Sequence, residues 1–138
     1  MSEELFDWQY VVRRVRNHPS FFHNDGTVSS ALFKDSHGVS VDKDHMRSVD
    51  EVIADEERLH QFYYSDEEQK NNPGLKLVSI ISIDKEVCEN NSVAVIDDPI
   101  PDENIHHCLL FKNQEREQLT RSQARALSVA ACIIKKYS

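Results

Sequence analysis

The 138-residue chain has few glycines, prolines and cysteines, and it has no long apolar run. Only three Gly and four Pro exclude collagen-like, linker-dominated and low-complexity proteins. No apolar stretch approaches the roughly 18–20 residues that a membrane helix needs. The first ten residues, MSEELFDWQY, carry acids where a secretory signal carries bases ahead of an apolar stretch. We therefore expect a cytoplasmic protein that makes no membrane contact.

The three cysteines, Cys88, Cys108 and Cys132, are widely spaced and form no CxxC pair. We expect them to be small buried side chains, because free cysteine is among the most buried residue types. The chain also lacks HExxH, a glycine-rich phosphate loop and a dinucleotide fingerprint. The start of a calcium loop is suggested at 42–44, but the glycine required at its sixth position is missing. The sequence therefore predicts no metal and no cofactor.

Basic residues are in the minority, and charge is unevenly distributed. The net charge is −8, which repels a phosphate backbone, so we do not expect a nucleic-acid partner. Residues 49–68 contain eight acids and one base, whereas residues 112–138 contain six bases and two acids. The sequence thus predicts an acidic segment and a basic segment within one molecule.

The apolar pattern predicts one α+β domain covering residues 1–138, with a small, mainly antiparallel sheet packed by two or three helices. Capping boxes at Ser48 to Glu51 and at Thr120 to Gln123 mark helix starts. The predicted helices cover residues 3–15, 49–64, 85–89 and 121–136. The predicted strands or extended segments cover 28–33, 38–41, 75–83, 92–96 and 107–111, and a polar loop covers 65–74.

A first candidate site combines His18, Asp25, Ser29, Ser30 and His107. A serine nucleophile needs a base within hydrogen-bond distance and a third group that orients the base, and these residue types supply all three roles. No GxSxG nucleophile elbow is present, and paired serines beside an Asn-Asp-Gly turn are more typical of local capping. A small hydrolase or transferase is therefore the alternative hypothesis, and a non-enzymatic protein is favoured.

A second candidate site is a protein-docking surface on the acidic helix and the polar segment before it. Acids on an exposed helix face are most often only solvated, but they also speed encounter with a basic partner and exclude wrong partners. The residues predicted to contact such a partner are Asp55, Glu56, Glu57, Lys34, Asp42 and Arg47.

The segment Asp98 to His107 contains two prolines one residue apart and ends in a histidine pair. The prolines predict an extended arm, and in a strand His106 and His107 point to opposite faces. We expect this arm and the glycine-containing segment from His18 to Arg47 to lie on the same side of one sheet and to form a shared polar patch.

The stretches DGTVSSALFK at 25–34, GVSVD at 38–42 and DPIPDENIHH at 98–107 resemble the motifs of a family of small bacterial proteins with no known activity. The resemblance covers roughly residues 9–136 and implies a bacterial origin; it also implies that the first two stretches and the third belong to one site. It implies no mechanism. The sequence as a whole favours a small binding or accessory protein, for instance in a toxin-immunity or defence setting, whose oligomeric state stays open.

Overall fold

The computed structural model describes residues 7–137. Six antiparallel strands form one sheet in the order β4-β5-β2-β1-β3-β6, which confirms the predicted α+β class. The strands are β1 Tyr10–Arg16, β2 Val39–Lys43, β3 Leu77–Asp84, β4 Ala94–Asp97, β5 His107–Phe111 and β6 Cys132–Lys136. The helices are α1 Val49–Tyr63, α2 Asp66–Asn71, α3 Lys85–Asn90 and α4 Arg121–Ala130.

The two faces of the sheet bury different side chains. The main core lies on the face covered by α3, α4 and the turns at residues 28–33, and it includes Val11, Leu110 and Leu127. On the opposite face, α1 packs Val52 against Val12 and Ile80 in a smaller cluster. Because side chains alternate along a strand, polar residues that neighbour main-core positions in the sequence point toward α1.

The predicted helix over residues 3–15 is wrong for its described part, because Tyr10–Arg16 forms the central strand β1. The strand is buried on both faces, so Val11 and Val12 both lie in apolar surroundings and the alternation typical of a strand is absent. Residues 3–6 of the predicted helix lie outside the described residues.

Three other boundaries differ from prediction. The last helix ends at Ala130, and residues 132–136 form the edge strand β6. Residues 30–33 form a short 3-10 helix instead of a strand, and only Val28 makes an isolated bridge, to Phe22. The predicted loop at 65–74 contains the capped helix α2.

The cysteines are buried at two positions of three. Cys88 and Cys108 lie in the main core, as predicted, whereas Cys132 on β6 is exposed. No helix among residues 7–137 has both the length and the apolar composition needed to cross a membrane.

Candidate functional site

The Ser/His/Asp candidate is not assembled. Asp25 accepts hydrogen bonds from the amide and hydroxyl of Thr27, and Ser29 caps the amide of Ala31 while its hydroxyl donates to the Ser20 carbonyl. Ser29 and Ser30 begin the short 3-10 helix at residues 30–33. This helix contacts α4 and the turn at residues 19–21.

The two candidate histidines also lie apart. His18 Nδ1 contacts the Ser20 hydroxyl at 2.6 Å and caps its own turn. His107 begins β5 and precedes the core residue Cys108, so it points to the α1 face, where it lies with Asp42 and Glu56 and away from the serine turn. The geometry therefore offers no hydrogen-bonded serine–histidine–carboxylate triad among these five residues.

The segment 39–47 does meet the late arm, so the predicted shared patch exists in part. β2 pairs with β5 so that Asp42 is opposite His107, and the Asn104 amide donates to Asp42 at 2.7 Å. Next to this pair, the Nδ1 atoms of His45, after β2, and His106, before β5, lie 2.7 Å apart. The earlier residues 25–34 do not share this patch, because they pack on the other face of the sheet with α4.

The arm itself is a tight turn and not the predicted extended segment. Ile100 and Asn104 form an isolated antiparallel bridge, and Asp102 has a positive φ of 63° at the tip. The His107 Nδ1 atom lies 2.9 Å from the carbonyl oxygen of Asp98 and 3.1 Å from its carboxylate. The turn thereby sets the orientation of both histidines.

A buried polar cluster joins this turn to α1 and β1. It consists of Arg14, Asp42, Glu56, Asn104 and His107. Arg14 lies 3.4 Å from Glu56 Oε1 and 3.8 Å from Asp42 Oδ2. Glu56 is 1% exposed, and its Oε2 atom has no hydrogen-bond partner among the described residues. Burial, and after it the adjacent Asp42, raises the pKa of Glu56 well above its ordinary value, which favours the protonated form of this carboxyl.

The cavity at this cluster measures about 60 Å³ and is lined also by Val12, Ser40 and Val41. That volume holds a few water molecules and no organic substrate. The cluster links α1 and the arm to the sheet through the contacts of Asp42 with Asn104 and of Arg14 with Asp42 and Glu56.

Two of the six predicted partner contacts are wrong, because Glu56 and Asp42 are buried. The Arg47 side chain is only 12% exposed and donates to Asp55 at 2.5 Å. It also donates to the carbonyls of Lys43 and Asp44. Arg47 thus holds the loop before α1 and presents little surface.

The remaining predicted contacts lie on separate surfaces. Glu57 is exposed and accepts from the Tyr137 hydroxyl at 2.5 Å on the β6 side of α1. Lys34 is exposed at the end of the turn that packs on α4. Asp55 is partly exposed and faces the arm, where it lines a groove between α1 and the turn. Of the six residues, Asp55 is therefore the one that lines this groove.

Several residues of the site were not predicted as such. The sequence around Arg14 does not indicate a functional residue, because the side chains that contact an arginine in a strand belong to other elements that are distant in sequence. Glu56 did carry a signal, since it stands four residues after Val52 and three before Leu59, within the buried stripe of α1. Phe62, which lies at helical spacing from Leu59, is 68% exposed.

Comparison with protein-family models, with curated proteins and with solved structures gave no match. The resemblance to small bacterial proteins therefore stays a prediction. Within residues 7–137, no group of three or more His, Cys, Asp or Glu side chains converges so as to hold a metal ion.

Proposed function

We propose that this protein is a non-enzymatic binding protein and that a basic partner protein docks in the groove between α1 and the turn at residues 98–106. The observation that carries the proposal is the combination of exposed apolar side chains and carboxylates at this groove. Phe62 is 68% exposed and Ile105 is 62% exposed. Asp55, Asp102 and Glu103 line the groove, with Arg58 as the single cation.

The apolar and acidic parts belong to one surface. Ile105 lines the groove directly, and Phe62 follows Arg58 by one helical turn on the same side of α1. Tyr63, at the end of α1, lies close to Glu103 of the arm: burial, and after it a hydrogen bond with the Glu103 carboxylate, raises the pKa of Tyr63 to about 12. Aromatic and aliphatic side chains surrounded by a polar rim are the usual composition of a protein interface.

Charge complementarity defines the partner. Opposed charge accelerates encounter and disfavours acidic competitors, so the segment that fits presents Lys or Arg next to an apolar anchor. Proteins that bind nucleic acid carry such basic surfaces. We therefore propose a toxin-immunity or defence setting, in which a small acidic protein covers the basic surface of a toxin.

The experiment is a selection of peptides from a random displayed library on the immobilised full chain, followed by binding kinetics with the enriched peptide. We expect the enriched peptides to contain Lys or Arg beside an aromatic or aliphatic residue. Their association rate with the chain should fall as the salt concentration is raised. Phe62→Ala together with Ile105→Ala removes the apolar anchors and should weaken binding by about tenfold or more, since interface hot spots contribute ≥ ~2 kcal/mol.

The matched control carries Glu86→Gln and Glu89→Gln, which remove two exposed acids from α3. This control should bind the peptide as the unmodified chain does, whereas Asp102→Asn with Glu103→Gln should slow its association. Enrichment of acidic peptides would refute the proposal. So would a loss of binding in the α3 control equal to that in the Asp102→Asn, Glu103→Gln variant.

A further inference from the structure

The strand β1 loses one of its two neighbours halfway along its length. It pairs with β3 from Tyr10 to Arg16, but its pairing with β2 ends at Val12. Arg13 enters the gap that opens, where its guanidinium donates to the carbonyl of Leu32 at 3.1 Å and to that of Ser40 at 2.6 Å. The other edge of β1 therefore faces a groove and not a strand.

This groove has a volume of about 220 Å³ and lies between two walls. Phe21 and Leu32 form one wall, and the end of α1 with the residue after it forms the other, through His60, Tyr63 and Tyr64. Aromatic side chains thus stand on both sides of the row of arginines on β1.

Arg14 and Arg16 are held by these rings. The guanidinium carbon of Arg14 lies 5.7 Å from the ring centroid of Tyr63, and that of Arg16 lies 5.9 Å from the ring centroid of Tyr64. Such stacking orients the planar forks without neutralising them. Arg16 makes no ion pair with any described carboxylate.

Three arginines line the groove although the protein as a whole is acidic. None of its eight lining residues is an acid. Asp42 and Glu56 contact Arg14 from outside the groove, at 3.8 Å and 3.4 Å. Burial lowers the pKa of Arg13 to about 10, against the opposing effect of Asp35 and together with the charges of Arg14 and Arg16. Acids farther away are screened within roughly 8–10 Å at physiological salt. Arg16, which pairs with none of the described carboxylates, is therefore the cation of this groove that is most available to an anion.

We propose that this groove binds a small aryl phosphate monoester, with its phosphoryl group on the guanidinium forks of Arg14 and Arg16 and its ring against the aromatic walls. Arginine forks match phosphate oxygens in a bidentate way, and two or three cations suit a dianion better than a carboxylate. The volume of about 220 Å³ lies below the roughly 300–1,000 Å³ of sites for drug-sized ligands, so one ring with its phosphoryl group is the size that fits.

The test is calorimetric titration of the full chain with phenyl phosphate, phenol, benzoate and inorganic phosphate. We expect phenyl phosphate to bind best, inorganic phosphate to bind about tenfold more weakly because it lacks the stacked ring, and phenol not to bind. Affinity for phenyl phosphate should fall as NaCl is raised. Phenol or benzoate binding as well as phenyl phosphate would overturn the proposal, and so would absence of phenyl phosphate binding.

Variants locate the site. Arg16→Gln should reduce affinity for phenyl phosphate by about tenfold, and Arg16→Lys, which keeps the charge but loses the fork, should lie between it and the unmodified chain. Arg125→Gln removes an exposed arginine on α4 and is the matched control. Equal loss in the control would show binding by general surface charge and refute the site. Should Arg16→Gln fail to fold, the Hε resonance of Arg16 in the unmodified chain must shift on titration, and its invariance would refute the site equally.

Discussion

Gly38 is a position where the backbone and a neighbouring ring both demand glycine. Its φ is +96°, and a Cβ atom there would lie 2.6 Å from Cζ and 2.9 Å from Cε2 of Phe111. Phe111 is itself buried, at 3% exposed, so the ring has no free space to move into. The turn before β2 therefore depends on the absence of a side chain at this residue.

Gly26 provides a matched comparison for a substitution at Gly38. Its φ of +87° is similar, but no atom lies within 4 Å of its Cβ position. Gly26→Ala should lower the free energy of unfolding by about 1 kcal/mol through backbone strain alone, and Gly38→Ala by about 2–4 kcal/mol through strain and overpacking. Urea unfolding of both variants measures the difference. Equal losses would mean that the Phe111 ring moves aside without cost.

Glu56 makes the packing of α1 on the sheet dependent on pH. In the folded protein this carboxyl keeps its proton to a higher pH than in the unfolded chain, because burial and Asp42 raise its pKa. Its contribution to stability is therefore complete below the unfolded pKa, near 4.5, and is lost as pH rises through the folded pKa. Stability from this residue falls toward alkaline pH.

Glu56→Gln should remove that loss, since glutamine has the shape of the protonated side chain and never ionises. We expect the variant to equal the unmodified protein near pH 4.5 and to be the more stable of the two at pH 8, because the raised pKa of Glu56 makes its ionisation in the folded state unfavourable. Unfolding in urea across this pH range is the measurement. Glu115→Gln, at an exposed loop residue, is the control and should show no such pH-dependent gain. A constant difference at every pH would contradict the assignment.

At the scale of elements, the sequence predicts helix starts better than helix ends. The capping boxes at Ser48 and Thr120 are formed as expected, because a cap depends on four consecutive residues. The end of α4 depends on a distant strand: Ile133 pairs with Ile81 in β3, so the chain leaves the helix after Ala130 to join the sheet. No local pattern in the sequence contains that pairing.

The same distinction applies to the candidate site. The contact of the arm with residues 42–45 was predictable, since the resemblance grouped those motifs, and it is formed through Asn104 and Asp42. The burial of Glu56 and the exposure of Phe62 were not predicted, although they occupy the same helix. Which face of α1 meets the sheet is set by the partners Val12 and Ile80, which belong to distant strands.

At the scale of the whole molecule, the two buried cysteines report on whether the chain unfolds as one unit. Cys88 is on α3 and Cys108 is on β5, yet both belong to the same core cluster. Burial raises the pKa of the Cys88 thiol to about 11 and that of Cys108 still further, so neither reacts while the core is closed. Cys132 on the edge strand is exposed in the folded state.

We therefore expect one thiol to react with an aromatic disulfide reagent within the mixing time and two to react only through opening of the structure. If the chain is one cooperative domain, the opening free energies of Cys88 and Cys108 should agree with each other and with the global value from urea unfolding. Cys132→Ser should remove only the fast phase, and single-cysteine variants assign the other two. A lower opening free energy at Cys88 alone would mean that α3 opens independently of the rest of the core and would contradict a single cooperative domain. In a single packed core, α3 cannot leave β3 and α4 without exposing the interior that β5 shares.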